Sequence, residues 1–206
     1  MPQRLRILTI LVPVAFFIGV GLVSGYVYHG SWPSGSIVMH LQLGSSSGRL
    51  MDGSSSWGQV AESALAEWNT YIQRVEFRVV RDSTQPIQSG DRVNSVFWSS
   101  TVFGRDFGDS SGWALWWFER GELVETDVIF NTKYAWNSYR GPLQGSSTGG
   151  TLFDLRRIAL HEFGHGLGLG HSPSGLDVMY WKSAMKELSD RDRSTLLRLY
   201  GCKAKR

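Results

Sequence analysis

One cysteine, Cys202, stands in a chain of 206 residues, so no intramolecular disulfide can form and stability must come from packing. Cys202 follows the last predicted helix and reads as an inert small side chain. Charge is also sparse. Only 19% of residues are Asp, Glu, Lys or Arg, and 42% are apolar, which leaves no disordered-tail signature. The formal charge of +3 is carried by the termini. Without Arg4, Arg6, Lys203, Lys205 and Arg206, 16 basic residues face 18 acidic ones. The body therefore has no basic face, and a nucleic-acid partner is excluded. No internal repeat is visible.

What is present begins with an address. Arg4 and Arg6 lead into the uncharged run Ile7 to Val23, followed by the small residues Ser24 and Gly25. That order describes a secretory signal peptide. The run is longer than a usual signal core and marginal for a membrane span, so residues 1–25 are a signal peptide or an uncleaved signal-anchor. A buried core helix would not start this way. The remainder is placed outside the membrane, secreted or extracellular, or anchored with its catalytic domain outside. Any membrane contact is then through residues 7–23 alone.

Residues 26–35 read as a short Gly/Ser tether, 36–202 as one catalytic domain, and 203–206 as a basic tail. Ser36–Leu43 alternates as a strand, and Gly44–Ser56 is a loop. Val60, Ala64, Trp68, Tyr71 and Ile72 recur at spacings of three and four, predicting a helix over Trp57–Gln73. Phe77–Arg81, Val93–Trp98, Gly112–Phe118 and Glu122–Phe130 read as strands, the last two joined by a turn at Arg120–Gly121. Residues 131–150 are expected to be loop. Helices are expected over Leu152–Leu167 and Asp190–Tyr200, the latter with Ser189 and Asp192 as a capping box and Gly201 as its stop. The order predicts an α+β fold with a largely single, twisted mixed sheet of about five strands.

The chemistry concentrates in His161–His171, which reads H-E-F-G-H-G-L-G-L-G-H. Histidines four apart on a helix share one face, so His161 and His165 can address one ion. Zinc suits imidazole nitrogen, and a catalytic site takes three protein ligands and keeps one position for water. His171 completes the set if the helix stops quickly and turns back. Gly168 is where that bend belongs, because glycine takes left-handed backbone without a steric penalty. Gly164 and Gly166 would each cost on the order of 1 kcal/mol in a helix valued only for stability. Glu162 lies about 100° around the helix from His161, placed to reach the metal-bound water rather than the metal. A carboxylate there can take the water's proton and pass it to a leaving amine. Glu187 is an alternative third ligand, without a helix to aim it. His29 and His40 lie far upstream and read as ordinary structural histidines.

With these residues the chain resembles the metzincin metallopeptidases, and within them the matrixin branch that includes the matrix metalloproteinases. Ser172 follows the third histidine as in that branch. Met179, in Asp177-Val178-Met179-Tyr180, is similar to the Met-turn that floors the zinc. Weaker similarity spans most of residues 32–201, through the helix from Trp57, the segment Val124–Asn131, and Leu188-Ser189 leading to Leu199-Tyr200-Gly201. The resemblance implies a shallow cleft in which a protein or peptide substrate lies extended along an edge strand. Gly112–Phe118 matches that strand. Trp116 and Trp117 point to its opposite faces, so that one faces the cleft unless both pack in the core. Tyr180 and Trp181 stand where the family walls its main specificity pocket, although Trp181 replaces the usual proline. No His or Asp cluster between residues 100 and 150 resembles the family's structural zinc and calcium loop. Asp106 and Asp109 are too sparse for calcium, leaving one catalytic zinc ion as the expected cofactor. No zinc-blocking cysteine precedes the domain. The expected activity is zinc endopeptidase, acting as a monomer. A zinc-binding protein without turnover, and a zinc amidase or exopeptidase, are the alternatives.

Overall fold

A computed structural model of the chain describes residues 29–147, 149–182 and 185–201. The signal or anchor segment, Cys202 and the basic tail lie outside the described residues. The fold is α+β, as the pattern of elements predicts. Five strands form the main sheet: β1 (Gly35–Gln42), β2 (Val75–Val80), β3 (Asn94–Ser99), β4 (Gly112–Glu119) and β5 (Glu122–Asn131). Their order is β2-β1-β3-β5-β4. All neighbours are parallel except β4, which runs antiparallel to β5 and whose outer edge is open among the described residues.

Two helices cover one face of this sheet. Helix α1 (Trp57–Asn69) starts where Ser56 accepts the Gln59 N–H, and buries Val60, Ala61, Ala64, Leu65 and Trp68. It stops four residues before the periodicity predicts. The Asn69 side chain is drawn away to bond both the N–H and the carbonyl of Phe77, each at 2.8 Å, which fixes the turn into β2. Helix α2 (Leu155–Gly166) is buried along nearly its whole length. The Trp68 indole N–H donates to the Leu160 carbonyl at 2.9 Å, so α1 locks α2 by a specific bond as well as by apolar contact. Helix α3 (Asp190–Tyr200) has the expected capping box, Ser189 with Asp192, and stops at Gly201.

The expected loop over 131–150 is corrected. It contains β6 (Ala135–Asn137) and β7 (Gln144–Gly145), which pair with β8 (Thr151–Asp154) in a small second sheet of order β6-β8-β7. The expected helix start at Leu152 is corrected with it. Thr151, Leu152 and Phe153 take strand geometry, and Asp154 supplies the cap by accepting from Arg156 N–H. Apolar periodicity cannot separate a short strand from the first turn of the helix that follows it.

From residue 29 onward, the expected tether packs against the body. Trp32 is buried, its indole N–H donating to the Gly166 carbonyl at 2.7 Å and its backbone N–H to the Tyr200 hydroxyl at 3.1 Å. Tyr200 in turn donates to the Leu167 carbonyl at 2.7 Å. One hydroxyl thereby ties the N-terminal strap and α3 to the end of α2.

The sheet interior holds an unusual ionisable group. Asp127 on β5 is fully buried; Oδ1 accepts from Ser95 N–H at 2.8 Å, and Oδ2 has no partner among the described residues. Burial pushes its pKa from 3.8 up to about 8, with the nearby Glu125 and Asp91 carboxylates adding to the rise. The native state therefore keeps a proton that the unfolded chain releases, so stability falls as pH rises between about 4 and 8. Asp127→Asn keeps an acceptor for Ser95 and removes the titration. Its stability should match wild type near pH 4 and exceed it above pH 8 by about 1–3 kcal/mol. Thermal unfolding of both proteins across that range checks this.

Candidate metal centre and cleft

His161 and His165 lie one turn apart on α2, both buried. The helix then ends in the way His171 requires. Gly168 has φ +87°, its N–H closes on the His165 carbonyl at 2.7 Å, and Leu169 N–H returns to the Gly164 carbonyl at 3.1 Å. A Cβ at Gly168 would collide with the carbonyl oxygen of Gly30 on the N-terminal strap, so two independent constraints demand glycine there. The returning chain brings His171 beside the helix. The three imidazoles form a group whose ligand nitrogens all lie within 4.8 Å of one another.

The protonation pattern follows from their partners. His161 Nδ1 lies 2.7 Å from the Val178 carbonyl, and His165 Nδ1 lies 2.7 Å from the Leu169 carbonyl. Carbonyls only accept, so both Nδ1 atoms carry hydrogen and both Nε2 atoms present lone pairs inward. Burial holds the rings neutral. It pushes His161 down to about 4, helped by the charge of His171. It also pushes His165 well below its usual value, with the charges of His161, His171 and His29 adding, and lowers His171, with His29 adding. His165 Nε2 sits 3.2 Å from His171 Nε2. A tetrahedral ion at zinc–nitrogen distances would space its ligand nitrogens by roughly 3.3 Å. The buried, inward-facing imidazoles of His161 and His165, with exposed His171 beside them at that spacing, fit a zinc ion.

Glu162 is buried on the neighbouring face of α2, and burial pushes its carboxyl up to about 8. A Cβ on Gly112 would lie 3.0 Å from Glu162 Oε1 and 3.1 Å from Ile158, so the first residue of β4 comes over Glu162 because it has no side chain. The open strand edge therefore passes the candidate base. Four residues along, the Trp116 indole N–H donates to the His165 carbonyl at 2.6 Å and its ring meets the His165 ring edge-on at 5.7 Å. Trp117 faces the other way, against Gly90. Of the two tryptophans, Trp116 is beside the histidines.

Beneath the centre, Met179 is fully buried. A Cβ on Gly164 would run into the Met179 sulfur and lie 2.8 Å from Trp68, so Gly164 is small because Met179 fills the space under α2. Gly164→Ala should destabilise by about 1–3 kcal/mol through overpacking. Met179→Ala should cost about 2–5 kcal/mol and Met179→Leu under about 1.5 kcal/mol. The double variant Gly164→Ala with Met179→Ala should be milder than the sum, by about 0.5–3 kcal/mol, in denaturant unfolding.

A polar framework positions the turn. Asp192 Oδ2 accepts from Val178 N–H at 3.0 Å, and the carbonyl of that residue holds His161. Asp177 takes the Ser172 hydroxyl on one oxygen and the Ser189 hydroxyl at 2.7 Å on the other, with Arg191 at 3.2 Å. Sequence reasoning named Asp192 only as a cap and Asp177 only as part of the Met-turn segment; their bonds across to one another's elements were missed because they depend on how α3 docks against the turn. Tyr180 is partly buried and Trp181 is 59% exposed, with the Lys182 ammonium over its ring at 4.6 Å. Neither lines the open hollow of about 350 Å³ formed by Gly141, Pro142, Leu143, Arg157, Met185 and Lys186 at the first turn of α2. Glu187 is exposed and outside the histidine group, and Asp106 accepts from Gly108 N–H in its own loop. His40 bonds Ser83 at 2.9 Å, away from the centre. His29 is likewise outside the histidine group, and its ring lies 4.9 Å from that of Trp116.

Comparison with known proteins agrees with this geometry. Residues 51–201 match the sequence model of the peptidase family described as Matrixin. The chain belongs to the matrixin family. Matrixins are zinc metallopeptidases, and the histidine group lies within the matched region. Over 78 residues this matrixin is 37% identical to "Matrix metalloproteinase-23" of Bos taurus, and equally to that of Homo sapiens. The aligned part is 36% of this chain and 17% of the length of each relative.

Proposed function

We propose that this matrixin is an exported zinc-dependent endopeptidase, with His161, His165 and His171 holding one zinc ion and Glu162 as general base. The observation that carries the reading is the meeting of four elements at one point. The neutral imidazole group, the buried carboxyl of Glu162, the open edge of β4 over that carboxyl and the Met179 floor converge there. Zinc, when bound, supplies Lewis acidity that polarises a carbonyl and acidifies water. The chain's residues do the rest. An extended peptide adds its backbone to the free edge of β4, which holds the bond to be cut over α2. A Glu162 carboxylate oxygen takes a proton from the attacking water and delivers it to the leaving nitrogen. Burial alone favours the protonated carboxyl, and a divalent charge among the imidazoles opposes that by favouring the carboxylate. The Val178 and Leu169 carbonyls fix the ring orientation of His161 and His165, as such outer partners do at metal sites. Gly168 serves the bend to His171. Export follows from residues 1–25, and the protein acts as a monomer on protein or peptide substrates.

The zinc-loaded chain, incubated with a mixed peptide library, should produce internal cleavages mapped by mass spectrometry and abolished by a chelator. Trimming confined to peptide ends, or no chelator-sensitive cleavage, would overturn the reading.

A further inference from the structure

The N-terminal strap carries a histidine into the cleft. His29 N–H donates to the Gly168 carbonyl at 2.9 Å, and Gly30 is pressed between Gly168 and Phe118: a Cβ on Gly30 would collide with the Phe118 ring, and a Cβ on Gly168 with the Gly30 carbonyl oxygen. Leu123 N–H donates to the Ser31 carbonyl at 3.0 Å, and Trp32 anchors the strap to α2. These contacts hold the His29 backbone at the bend that presents His171. Its exposed side chain lies over Trp116, with ring centroids 4.9 Å apart and planes 33° apart. Trp116 meets His165 edge-on, so the rings run His29, Trp116, His165 from solvent inward.

Their place along the cleft follows from β4. Gly112 lies over Glu162 and Trp116 beside His165, four residues or about 13 Å further along the strand. A peptide paired with this edge, its reacting bond near Glu162, brings a side chain about four residues away to the Trp116 end. We propose that His29 and Trp116 form a ring platform there, a specificity-determining subsite for an aromatic side chain of the substrate. The inference rests on the peptidase reading and adds a selected side chain and the strap residue that selects it. Paired rings interact beyond their buried area by an amount corresponding to about a 3- to 10-fold preference.

The test uses the zinc-loaded full chain carrying Glu162→Gln, so that peptides persist. Capped hexa-alanine peptides with a single Phe, Leu or Asp walked through each position are titrated in by calorimetry, and the His29 imidazole signals are followed by NMR. Phe at one position should bind roughly 3- to 10-fold tighter than Leu there and shift the His29 signals. His29→Ala and His29→Gln should erase that preference while His29→Phe keeps it. A Phe preference that survives in both His29→Ala and His29→Gln, or a preference for Asp at that position, overturns the subsite. Cleavage of the mixed library by wild type, with no position sensitive to His29, overturns the subsite and leaves the peptidase reading standing. A wild type that neither cleaves the library nor binds the peptides overturns both.

Discussion

Glu162→Gln should lower peptide cleavage by roughly 10²- to 10⁴-fold while zinc content stays at the wild-type level. Glutamine keeps the size of the side chain beneath Gly112, so β4 need not move. What it loses is the ability to take a proton. Glu162 is rotated away from the inward face that carries His161 and His165, and it is outside the histidine group, so metal retention should not depend on it. The two readouts must therefore separate. Turnover is measured on peptides already shown to be cut, and zinc by elemental analysis of the same preparations. A Gln variant that cuts nearly as fast as wild type would remove Glu162 from the mechanism. Loss of zinc together with activity would instead assign it to the metal.

His165→Ala should lose zinc and, with it, all chelator-sensitive cleavage. It removes the middle ring of the group, the one 3.2 Å from His171 Nε2 and 4.6 Å, centroid to centroid, from His161. It also strands the Leu169 carbonyl and the Trp116 ring that pack on it. Stability should fall for two separable reasons. The lost packing and hydrogen bond act with or without metal. The lost ligand acts through linkage, which for a site held at 100 times its dissociation constant contributes about 2.7 kcal/mol. Wild-type unfolding temperature should therefore drop on chelation, whereas that of the variant should be lower from the start and indifferent to chelator. A variant that keeps a full equivalent of zinc would refute the ligand assignment.

Much of the site was legible because its spacing is local. An i, i+4 pair on a helix shares a face whatever the tertiary context, and the glycine at 168 marks a turn that a bulkier residue resists. The capping box of α3 and the antiparallel turn at Arg120–Gly121 were legible for the same reason: each is closed by residues a few positions apart. Local propensity failed over Thr151–Asp154 and the preceding loop. There a short strand and a helix cap share one apolar run, and the deciding hydrogen bonds come from residues 135–145.

By itself the sequence determined the α+β class, the helix that carries His161, Glu162 and His165, the glycine bend towards His171 and the methionine below them, because each is written in contacts a few residues long. Only the tertiary structure decided which tryptophan of β4 meets the histidines, that Asp192 of α3 and Asp177 of the turn tie the two together, and that Asp127 is buried without a full set of partners. It alone brought His29 onto Trp116. Those outcomes depend on how separate elements dock, and docking is set by the shape of the packed whole, which no short window of residues contains.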